Sequence, residues 1–90
     1  MAKVSIPTPL RPNTGGQATV EAAGSTVGEV LADLVRLHPD LQKRLFAGEG
    51  QLHQYVNVYL NDEDIRFMDE LKTPVKETDE VGIIPAIAGG

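Results

Sequence analysis

The sequence predicts an α+β fold: a mixed sheet of about five strands with one main helix packed across one face. Three observations lead there. One amphipathic stripe starts at a capping pattern, Thr26-Val27-Gly28-Glu29. Residues 55–60 alternate between apolar and polar, and Val81-Gly82-Ile83-Ile84 is nearly all apolar. A lone amphipathic helix has nowhere but a sheet to bury its stripe.

The elements follow in order. Val4-Ser5-Ile6 alternates and stops at Pro7, which reads as a short strand. Residues Thr8 to Gly16 are rich in Pro, Asn, Thr and Gly and read as a turn. In Gln17 to Ala22, Ala18, Val20 and Ala22 share one face, and this segment forms a hairpin with the first strand. In the capping box the Thr26 hydroxyl serves the N3 amide and Glu29 reaches back. Val27, Val30, Leu31, Leu34, Leu37 and His38 then follow helical spacing until Pro39 stops or bends the helix. Asp40 to Phe46 suggests a second short helical turn with Leu41 and Leu45 facing the core, ended by Gly48-Glu49-Gly50.

Tyr55 to Leu60 is the clearest strand, with Val56, Val58 and Leu60 on one side and Tyr55, Asn57 and Tyr59 on the other. Asn61-Asp62-Glu63-Asp64 reads as a turn and Ile65-Arg66-Phe67 as a returning strand. Residues 68–79 look irregular, and Asp79-Glu80 forms a second acidic turn. Val81 to Ile84 has the composition of a buried central strand, after which Pro85 should release the chain from the sheet. The domain division is therefore 1–85 for the folded body and 86–90 for a flexible tail ending in Gly-Gly.

Composition narrows the function. A chain of 90 residues buries only about 60–65% of the surface it exposes when unfolded, which leaves little room for an enclosed active site. The balance of 8 basic to 13 acidic residues, net −5, disfavours nucleic acid and anionic membranes and suits a partner with a basic docking face. No cysteine is present, so a thiol nucleophile, a disulfide framework and a cysteine metal site are excluded. The N-terminal residues carry no apolar signal region, and no run approaches the length of a membrane span. A cytoplasmic location is expected.

The candidate site is the C-terminus, Pro85-Ala86-Ile87-Ala88-Gly89-Gly90. Five residues follow Pro85, and fully extended they reach roughly 16–17 Å. Ala88, Gly89 and Gly90 have almost no bulk, so a narrow tunnel in a partner admits them. A carboxylate is a poor electrophile, but adenylation activates it, and sulfur can then replace oxygen without any cysteine in the chain. The ordinary alternative is a frayed end; what sharpens the reading is that Gly-Gly directly follows a core strand and a Pro. Other motifs read as structural. Gly15-Gly16 lacks the Lys-Ser/Thr of a phosphate loop and fits a turn. Asn61 to Asp64 lacks calcium-loop spacing. His38 and His53 lack metal spacing, and His38 suits a helix C-terminus. The Tyr55, Asn57 and Tyr59 face is either an ordinary strand face or a partner surface.

Several segments carry a family resemblance: Val4-Ser5-Ile6-Pro7-Thr8, Leu10-Arg11-Pro12, Thr14-Gly15-Gly16-Gln17, Val56-Asn57-Val58-Tyr59, Asn61 to Phe67, and Ile84 to Gly90. Together they resemble the ubiquitin-like sulfur carriers of the MoaD/ThiS group, and within it the CysO-type carriers of cysteine biosynthesis. The resemblance implies a β-grasp fold, and a carrier rather than an enzyme. It implies that an E1-like enzyme adenylates Gly90 with ATP and that the terminus becomes a thiocarboxylate. Gly89, Ala88 and Ile87 would enter the partner sites. A cysteine synthase-type pyridoxal phosphate enzyme and a zinc metallopeptidase would be the later partners, and the carrier itself would need no cofactor. Related bodies serve as molybdopterin synthase small subunits, thiamine sulfur carriers and ubiquitin-like protein modifiers, so the pathway stays open here.

Overall fold

The computed structural model describes residues 1–48, 51–52 and 56–85. Five strands form one sheet: β1 (Ala2–Ser5), β2 (Thr19–Ala22), β5 (Val56–Leu60), β6 (Glu63–Asp64) and β7 (Glu80–Pro85), in the order β2-β1-β7-β5-β6. The strands β3 (Phe46–Gly48) and β4 (Gln51–Leu52) pair separately. Helix α1 spans Val27–Leu37 and the single turn α2 spans Gln42–Leu45. No helix among the described residues is long and apolar enough to cross a membrane.

The sheet is mixed because of β7. It runs parallel to β1, with Lys3 opposite Glu80 and Ser5 opposite Gly82. It runs antiparallel to β5, with Tyr59 opposite Gly82 and Val58 opposite Ile83. The first hairpin is as expected, with Ala2 opposite Ala22 and Val4 opposite Val20. Ala18 lies outside β2 and is exposed. Its carbonyl still accepts from the Ile6 N–H at 2.8 Å, which extends the hairpin past Ser5.

Period-2 alternation places Val4, Val58, Val81 and Ile83 beneath α1, which contributes Val27, Val30, Leu31 and Leu34. Each fully buried side chain of this kind contributes about 1.5–3 kcal/mol. Leu41 and Leu45 close one end, both fully buried, as the sequence suggested. Leu37 does not join them: it is 42% exposed on the last helical turn. His38 ends the helix through its backbone, its N–H donating to the Leu34 carbonyl at 2.8 Å. At the other end the Thr26 hydroxyl accepts from the Glu29 N–H at 3.2 Å. Glu29 reaches back one residue further than a capping box requires, accepting from the Ser25 N–H at 2.9 Å.

Three local expectations need correction. Within the Thr8 to Gly16 segment expected to be a turn, residues Thr8–Thr14 form a 3-10 helix. Pro9 and Pro12 fix φ near the value such turns require, and Leu10 is thereby driven into the core. Ile65–Phe67 is also a 3-10 turn, not a strand. Asp64 starts it, its carboxylate accepting from the Arg66 N–H at 2.9 Å, and a side chain that caps in this way diverts the backbone from a ladder. Pro85 remains in the sheet, opposite Val56. The paired part of β1 stops opposite Gly82, so the end of β7 has one neighbour and tolerates a residue without an N–H.

Candidate functional site

The predicted functional residues Ile87, Ala88, Gly89 and Gly90 lie outside the described residues, as do His53 and Tyr55. The strand that leads to the tail is described in full. Strand β7 is the middle strand of the sheet, and its Val81 and Ile83 are buried in the core. The chain after Pro85 therefore starts from a strand held on both sides for part of its length and pinned from below.

The start of β7 is fixed by a second device. Asn61 and Asp62 both have positive φ, 51° and 73°, as a two-residue type I′ turn between β5 and β6 requires. The Asn61 N–H donates to the Glu80 carbonyl at 2.9 Å. Its side-chain amide donates to Asp79 Oδ1 at 3.0 Å, and its side-chain oxygen accepts from the Glu80 N–H at 3.0 Å. Asp79 in turn accepts from the Lys76 N–H at 2.8 Å. That backbone bond, with the Asn61 amide second, holds the Asp79 carboxyl below the usual carboxylate range.

The face of the sheet away from α1 carries a second feature. Ser5, Gly82 and Tyr59 form one row across β1, β7 and β5. Ile84, 51% exposed, stands in the next row opposite Asn57. A cavity of about 510 Å³ opens here, lined by Ser5, Tyr59, Asn61, Asp62, Glu80, Gly82, Ile83 and Ile84. Gly82 leaves a dent in its floor, since a Cβ there would meet only Tyr59, its Cβ at 3.8 Å and its carbonyl oxygen at 4.0 Å, both ordinary contacts. Beside it, Asp64 is buried and pairs with Arg66, Nη2 to Oδ2 at 2.9 Å. The Arg66 side chain, followed by the Arg66 N–H, lowers the Asp64 pKa.

Of the outward face expected for Tyr55, Asn57 and Tyr59, the last two lie on β5 among the described residues; the cavity and its acidic rim have no counterpart in the sequence expectations. Gly82 inside an apolar strand was the available signal, because a strand glycine often marks a close approach or a gap. Asp64, read as part of a solvated turn, is buried and ion-paired.

The model of the ThiS family matches residues 4–90. The sulfur carrier protein CysO of Mycobacterium tuberculosis (strain ATCC 25618 / H37Rv) is 49% identical over 89 residues, covering 97% of this chain and 96% of that protein. A chain in the crystal structure of the Amycolatopsis orientalis BexX/CysO complex superposes with a TM-score of 0.90 at 48% identity, with both chains fully covered. The solution structure of small archaeal modifier protein 1 from Methanosarcina acetivorans gives 0.89 at 29% identity, covering 99% of this chain and 95% of that one. These neighbours share the ubiquitin-like β-grasp fold expected from the sequence.

Proposed function

The chain belongs to the ThiS family, and from that premise we propose that it carries sulfur on its own C-terminus, with cysteine biosynthesis as the destination. The observation that carries this reading is the near-full-length match at 49% identity to a sulfur carrier protein. The geometry of β7 is consistent with it: a tail that must enter another protein's active site benefits from a rigid strand behind it.

The chemistry runs through Gly90. Its carboxylate oxygen attacks the α-phosphorus of ATP, and pyrophosphate leaves. Hydrosulfide attacks the carbonyl carbon of the resulting acyl-adenylate, and the bond from that carbon to the phosphate oxygen breaks. AMP leaves with the oxygen and the electron pair, and the S–H proton is lost to solvent. The terminus is now a thiocarboxylate, a sulfur nucleophile on a chain without cysteine. Residues 1–85 act as the handle; Ile87, Ala88 and Gly89 thread the partner's channel. The adenylating partner is an E1-like enzyme that brings ATP. The acceptor is a pyridoxal phosphate enzyme of the cysteine synthase type, and a zinc metallopeptidase releases the product. The carrier itself holds no cofactor, and the reaction takes place in the cytoplasm.

The protein is tested by incubation with its activating enzyme, ATP and a sulfur donor, followed by intact mass. A gain equal to the difference between sulfur and oxygen supports the reading. An unchanged mass with an enzyme that converts another carrier refutes it. A second reading has its own observation: small archaeal modifier protein 1 of Haloferax volcanii is 35% identical over 66 residues. Under that reading Gly90 forms isopeptide bonds with lysines of other proteins, and denaturing pull-down recovers conjugates. Recovery of free or thiocarboxylated chain alone counts against it.

A further inference from the structure

The cavity on the open sheet face has a chemical polarity that the tail does not explain. We propose that it receives a basic side chain, an arginine foremost, from a partner protein. Its rim carries Asp62 and Glu80, both exposed and, among the described residues, without an ion pair. The neighbouring Asn61 amide and the Glu80 N–H are already bonded to each other's segments. The cavity therefore offers unpaired acceptors and few donors, and a guanidinium is the complement of that set. The walls fit the rest of an arginine. Tyr59 presents an aromatic surface beside the dent at Gly82, and Ile84 offers apolar contact for the methylene stem.

The cations already nearby do not fill this place. Arg66 is committed to Asp64 through Nε at 3.2 Å and Nη2 at 2.9 Å. Lys3 stands opposite Glu80 in register but forms no ion pair with it. The net charge of −5 favours long-range attraction of a basic partner in general, and the carboxylates of Asp62 and Glu80, unpaired among the described residues, place acceptors at this cavity. The cavity belongs to the folded body and is the same whatever Gly90 becomes, so arginine binding there is independent of the sulfur chemistry.

The test is an NMR titration of the full-length, ¹⁵N-labelled chain with the peptide acetyl-Leu-Arg-Leu-amide, and with the same peptide carrying citrulline for arginine. The expected result is shifts concentrated on the amides of Ser5, Tyr59, Glu80 and Gly82, with the citrulline peptide about tenfold weaker. The double variant Asp62→Asn/Glu80→Gln removes the preference for arginine. Gly82→Ala weakens both peptides by filling the dent, with the spectrum otherwise retained. Equal binding of the two peptides, shifts located elsewhere, or no shifts up to the solubility limit overturns the proposal.

Discussion

Asn61 and Asp79 lie 18 residues apart in sequence, and their side chains meet at 3.0 Å, amide to carboxylate. The bond joins the β5–β6 turn to the residue just before β7. It is supported by the bond from the Glu80 N–H to the Asn61 side-chain oxygen. Asn61→Ala removes both side-chain bonds and places alanine at φ 51°, where a Cβ is disfavoured. Each lost bond is worth about 0.5–1.5 kcal/mol. The expected loss is about 1.5–3 kcal/mol in urea unfolding, and a change below about 0.5 kcal/mol contradicts the assignment.

Acid should weaken the fold through three carboxylates. Asp79 is held low by the Lys76 N–H and then Asn61. Asp64 is held low by the Arg66 side chain and then its N–H, and Asp33 by the Ala23 N–H and then Arg36. A folded-state pKa below the unfolded one means that the unfolded chain takes up protons first on acidification. The stabilisation is complete above the unfolded value of about 3.9 and is lost as the pH falls through the lower folded values. Tm followed by circular dichroism should hold steady near neutrality and drop below about pH 4. Replacing Asp33, Asp64 and Asp79 together by Asn should lower Tm at neutrality and flatten that drop. An equally steep drop in the triple variant excludes these groups as its source.

Gly24 is required by close approach. A Cβ at this position would lie 2.6 Å from the Val30 nitrogen and 2.8 Å from the Glu29 carbonyl carbon, both backbone atoms of α1. The helix cannot yield there without disturbing the Thr26 cap. Gly24→Ala should cost about 1–3 kcal/mol. Gly15→Ala makes an instructive contrast, because nothing lies within 4 Å of its Cβ and only the positive φ of 67° opposes it. Differential scanning calorimetry should therefore give the larger Tm loss to Gly24→Ala. The reverse order would mean that the approach at Gly24 relaxes freely.

How far the sequence reads forward differs by element. The valine alternation of β5 and the α1 stripe were legible because burial imposes a period, and one face had to be apolar. The central place of β7 was legible because its neighbours bury it and leave it almost no polar residue. The 3-10 turns were not legible. Their cause lies in capping by Asp64 and in paired prolines, which use the same residue types as open turns. The acidic rim was visible only as two separate turns, Asn61 to Asp64 and Asp79-Glu80. What brings them together is the register of β7 against β5, and register depends on contacts far apart in sequence.

The same central strand separates two kinds of damage. Ile83 is 2% exposed in the core beneath α1, and Ile83→Ala should cost about 2–5 kcal/mol. That is a large share of the about 5–15 kcal/mol available to a domain, so the variant should be partly unfolded and should lose all functions together. Among the described residues, no buried core side chain lies beyond Ile83. Deletion of Gly90 should therefore leave the urea midpoint within error of the full chain. The deletion should nonetheless abolish the gain of sulfur mass, because the channel would then present the wrong carboxylate to the activating enzyme. A truncated chain that still gains sulfur would place the reactive carboxylate elsewhere. One that loses stability as well would show that the terminus belongs to the body rather than to the chemistry.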